Sequence, residues 1–129
     1  MRSFLLAMSL ATIFPGGVDA QGLQAVRPLP SYTCMMLAAP PAETVQAIPR
    51  IAVRQAPFSS APILSWAPTV VLVSEPVVLQ GGFLKATFAD HHTGWIQATE
   101  LKPWSTPYNP SRRCIPSTMS NGSFGFDFR

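Results

Sequence analysis

The sequence predicts an all-β domain of short antiparallel strands, in the manner of a barrel or a sandwich. The 14 prolines among 129 residues divide the chain into short pieces, because proline cannot donate to a sheet ladder and breaks a helix interior. No stretch carries a convincing amphipathic helical period, whereas residues 69–74 (TVVLVS) are β-branched and almost continuously apolar. Residues 82–104 (GFLKATFADHHTGWIQATELKPW) read as two strands around a tight turn, closed by one helical turn and a tryptophan.

Residues 1–20 have the parts of a secretory signal peptide. Arg2 gives a positive start, an apolar run extends from Phe4 to Phe14, Pro15-Gly16-Gly17 breaks it, and Val18 and Ala20 place small residues ahead of a cut before Gln21. The run is well short of the ~20 residues a bilayer span requires. The expectation is export to the periplasm or medium of a bacterium, with no membrane span after cleavage. The net charge is +3, and the cations are scattered, with Arg112-Arg113 the only adjacent pair. A nucleic-acid partner needs a basic face or stripe, so this class is set aside. Cys34 and Cys114 enclose most of the remaining chain. In an oxidising compartment they are expected to form a structural disulfide, which over a loop of about 80 residues contributes on the order of 4 kcal/mol.

Along the chain, residues 21–47 read as an extended leader, with residues 32–37 (YTCMML) a candidate first strand ended by Pro40-Pro41. In residues 50–54 (RIAVR), Ile51 and Val53 face one way and Arg50, Ala52 and Arg54 the other, the period of a half-buried strand. Residues 55–67 form a loop that holds Phe58 and Trp66, with a short paired stretch at 63–66. Pro76 and Gly81-Gly82 bracket a second loop. In the hairpin, Leu84, Ala86 and Phe88 alternate with Phe83, Lys85 and Thr87, the turn is Asp90-His91-His92-Thr93, and the chain returns through residues 94–97. Residues 105–129 form a proline-rich and aromatic tail pinned by Cys114, in which Phe124, Phe126 and Phe128 alternate. Two readings of its end stand: a loose terminus, or a strand that docks three rings on its own sheet edge or a partner's.

Residues 53–64 (VRQAPFSSAPIL), the strand TVVLV, the Gly82-Phe83 entry and TGWI…ELKP from Thr93 to Pro103 together resemble the bacterial SH3-like domains of exported envelope proteins. The resemblance implies a small barrel of five to six short antiparallel strands over residues 48–104, flanked by extended proline-rich segments. It also implies a binding or scaffolding role and no catalysis. Aligned with SH3 domains that dock polyproline on an aromatic shelf, the chain places Phe83 at the stacking tryptophan, Gln97 at the shelf proline and Glu100 at the shelf tyrosine. The acidic-aromatic motif of the first long loop is missing from QAPFSSAP, so a polyproline ligand is not expected.

The candidate ligand groove is aromatic, made by Phe58, Phe83 and Trp95. The competing reading is that Trp95 only covers the open side of the core, since aromatic rings supply much of the buried area in so small a domain. His91-His92 is expected to be an exposed turn pair, because adjacent histidines with only Asp90 nearby fall short of a metal's ligand count. No cofactor, metal or catalytic residue is expected. Two functions follow: an envelope binding module that recognises a cell-wall glycopeptide or an envelope protein, or an accessory subunit of an envelope assembly without a small ligand.

Overall fold

The computed structural model describes residues 22–38 and 50–129. The expected signal peptide, Gln21, and the part of the leader from 39 to 47 with the expected strand end at Pro40-Pro41, lie outside the described residues. The described chain is all-β and antiparallel, in two sheets. The larger is built from β2 (Tyr32–Leu37), β3 (Ala52–Arg54), β4 (Ile63–Trp66), β5 (Val70–Ser74), β6 (Leu79–Gln80), β7 (Phe83–Thr87), β8 (Thr93–Gln97) and β9 (Leu101–Pro103), with the order β4-β3-β8-β7-β5-β2-β9 and β6 paired to β7. The smaller has β1 (Ala25–Pro28) and β11 (Phe124–Phe128) on either side of β10 (Cys114–Met119). A 3-10 turn, Ala98–Glu100, joins β8 to β9.

The alternation of the 82–104 hairpin sets the core. Leu84 and Ala86 of β7, Ile96 of β8, Val53 of β3, Val71 and Val73 of β5 and Leu101 of β9 form one buried cluster, with Met35, Leu37, Ile51 and Phe88 packed against it. Gly94 faces this cluster because a side chain would not fit: a Cβ there would stand 2.3 Å from Val53 Cγ1. Gly81 and Gly82, with φ of 55° and 82°, form the two-residue turn between β6 and β7. Positive φ at both central positions matches the twist of a hairpin and favours glycine.

Strand β5 is apolar almost throughout because it is covered on both sides. Val71 and Val73 enter the core, while Leu72 points the other way, opposite Cys34 of β2 and Thr87 of β7 in register. That second face is roofed by the smaller sheet. Cys34 and Cys114 are joined, with Cα atoms 6.2 Å apart, and rings pair across the two sheets, Tyr32 with Phe124 at 5.6 Å and Trp104 with Phe128 at 5.4 Å.

The architecture corrects two expectations and decides between the two readings of the tail. The larger sheet is not closed into a barrel; its strand order ends at β4 and β9. The leader holds a true strand, β1, whose four residues are all exposed. It is fixed by backbone pairing to β10 and leaves no alternation to read. The tail is not loose: residues 114–119 and 124–128 pair as a hairpin, and its rings dock on the chain's own larger sheet.

Candidate functional site

The side of the hairpin away from the core carries three rows of cross-strand neighbours. The first joins Phe83 to Gln97, the second Lys85 to Trp95, and the third Thr87 to Thr93. Strand β3 extends the second row, with Arg54 opposite Trp95. Strand β4 follows, with Ile63 opposite Arg54 and Trp66 opposite Ala52. The same alternation that buries Val53 therefore turns Arg54 and Ala52 outward beside the first two rows.

A groove of about 390 Å³ lies along this outer face, lined among others by Arg50, Arg54, Trp66, Phe83, Gln97 and Glu100. Phe83 is 5% exposed and belongs to its floor. Trp66 is 48% exposed, and the Arg50 guanidinium stands over its ring, 5.5 Å from the centroid. Arg54 Nη1 donates to the Ala61 carbonyl at 2.9 Å, which holds the guanidinium while leaving most of its five donors available. Glu100 is half-buried. Among the described residues the ion pairs are Asp90 with His92 and Asp127 with Arg129, so the groove charges do not neutralise one another.

Of the three aromatic residues expected to form the groove, the structure places only Phe83 in it. Phe58 is 53% exposed in the loop between β3 and β4, and Trp95 is half-buried one row along, between Arg54 and Lys85. Neither lines the groove. Trp66 takes the aromatic role instead. The signal for it was present: residues 50–54 turn two arginines outward, and a tryptophan stands in the next paired stretch. Phe83, Gln97 and Glu100, the positions at which the chain departs from a polyproline shelf, all line this one groove.

The far end of the same face is closed. Leu72 and Thr87 meet Phe124 and Phe126 around a slot of about 200 Å³. The two histidines are exposed in the turn, as expected, and they also act as a clasp there. His91, at φ 73°, stacks on Phe124 at 3.9 Å and donates from Nε2 to the Gly122 carbonyl at 2.9 Å. His92 stacks on Phe88 at 4.7 Å and hydrogen-bonds through Nδ1 to Asp90. That side-chain bond, with the His92 amide bond to the same carboxylate, holds the Asp90 carboxyl below its ordinary value. Among the described residues no cluster of three or more His, Cys, Asp or Glu is placed to hold a metal, and no helix is long and apolar enough to cross a membrane. Comparison with protein-family models, with curated proteins and with solved structures found no match to this chain.

Proposed function

We propose that the chain is an exported, non-catalytic binding module of a bacterial cell envelope, of SH3-like descent, and that the Phe83–Trp66 groove takes a cell-wall glycopeptide. The observation that supports this reading is that Trp66, Phe83, Gln97 and Glu100 line one open groove together with Arg50 and Arg54. Its volume is in the range of small-ligand sites, whereas a stable protein interface buries ~800 Å² on each partner. An exposed tryptophan offers a flat apolar face on which a sugar ring or a peptide backbone can lie, and the flanking guanidinium, amide and carboxylate groups orient what lies there. The disulfide fits an oxidising compartment, periplasmic or extracellular.

Co-sedimentation with purified peptidoglycan sacculi tests the reading. The protein is expected to sediment at low salt, and Trp66→Ala to remain in the supernatant while Trp95→Ala and Phe58→Ala still sediment. Absence of binding by the unaltered protein would sink the glycopeptide reading. The accessory-subunit alternative would then take over, resting on the exposed apolar Val77 and Leu79 next to the groove-forming hairpin.

A further inference from the structure

We infer that the groove selects a zwitterionic peptide, one that carries both a carboxylate and an ammonium group, and that it rejects simple polyanions. This deepens the proposed glycopeptide reading and rests on it. The inference comes from charges of both signs that line one cleft without pairing with each other. Arg50 is held over Trp66, and Arg54 is tethered by its bond to Ala61, so both guanidinia are oriented before a ligand arrives. Orientation in advance reduces the ordering cost of binding, and a guanidinium fork matches a carboxylate in two parallel bonds.

Two arginines alone would accept any anion, including a polyphosphate or an acidic polymer. Glu100 changes that. It lines the same groove, and among the described residues it has no ion-pair partner. A purely anionic ligand brought onto Arg50 and Arg54 meets repulsion at Glu100, and discrimination of this kind rests on the repulsive element as much as on the attractive one. A ligand with an ammonium group turns the repulsion into a charge-assisted hydrogen bond. Gln97 adds a neutral amide able to donate and accept, which suits the peptide bonds between the two charged groups. A glycopeptide's peptide stem of mixed charge meets these requirements.

The test uses the full-length protein and three preparations of sacculi: native, carbodiimide-amidated to remove carboxylates, and acetylated to remove free amines. Amidation and acetylation are each expected to weaken binding by about tenfold, the worth of one hydrogen bond to a charged group. Arg50→Gln should no longer distinguish native from amidated sacculi as strongly, and Glu100→Gln should no longer distinguish native from acetylated ones. Both positions are outside the core cluster, and thermal melts of each variant confirm that it is folded. Soluble polyphosphate should fail to compete with native sacculi for the unaltered protein and should compete once Glu100→Gln is made. Binding that ignores both chemical modifications, or competition by polyphosphate at the same concentration in both proteins, overturns the zwitterion inference and leaves glycopeptide binding standing. No binding to native sacculi removes both.

Discussion

At the Thr87 end of the β7–β8 hairpin the outer face is roofed by the chain's own C-terminal strand, and at the Phe83 end it is open. Four residues, about 14 Å of extended chain, separate the two. The closed end settles its interactions internally: Phe124 covers the Leu72–Thr87 row, and Asp90 pairs with His92. The open end keeps a half-exposed tryptophan and charges of both signs that do not pair. One sheet face thus does two jobs. Burial at one end adds stability to a domain whose core is small, and the other end is left with groups that a ligand can use.

Removing the disulfide should break this division most severely. Cys34→Ser with Cys114→Ser opens a closed loop of 80 residues, and the expected loss is about 4 kcal/mol, read by urea denaturation with the reduced wild type as a matching control. Phe124→Ala acts on the closed end alone. The ring is half-buried between Tyr32 and His91, so the loss should be about 2 kcal/mol, roughly half that of a fully buried phenylalanine, while sacculus binding stays intact. A Phe124→Ala protein that is stable but no longer binds would show that the two ends are coupled. Trp66→Ala does the reverse at the open end. The side chain stands on an edge strand opposite Ala52, so its stability cost should be about 0.5–1 kcal/mol, that of a cross-strand pair, with the whole effect on binding.

The closed and open ends were not equally legible in the sequence. The core was readable in the alternation of its strands: Leu84, Ala86 and Phe88 share one face, as do Ile51 and Val53, and the structure packs these residues into one cluster. The β-branched, near-continuous TVVLV announced a central strand, and the structure supplies the reason for that composition, burial on both faces. Strand β1 left no trace, since all four of its residues are exposed and backbone pairing has no side-chain signature. The open ends of the larger sheet were hidden similarly, because closure depends on hydrogen bonds between edge strands and not on which residues are apolar. At the groove, Phe83 was found through its place in a hairpin pattern. Trp66 lies on the paired stretch read at 63–66, but its place in the groove depends on the pairing of that stretch with β3, which sets it opposite Ala52 and beside Arg50.

The smallest effect belongs to Asp90, and its sign follows from the clasp. The carboxyl is held below its ordinary value of 3.8 chiefly by the hydrogen bond from the His92 side chain, so folding favours the ionised form. A carboxylate depressed in the folded state contributes stability that is fully present above the unfolded value and is lost as pH falls through the folded one. Asp90→Asn keeps an oxygen able to accept from the His92 amide, now made at 3.1 Å to Oδ1, and removes only the charge. The variant should therefore melt slightly below the wild type at about pH 7, and the two melting temperatures should converge as the pH is lowered to about 2. A gap that persists unchanged into acid would mean that the side chain's shape in the turn, and not its charge against His92, is what steadies the closed end. Because the clasp lies in the turn beyond the third row and Phe83 stands in the first, sacculus binding at neutral pH should not distinguish the two proteins.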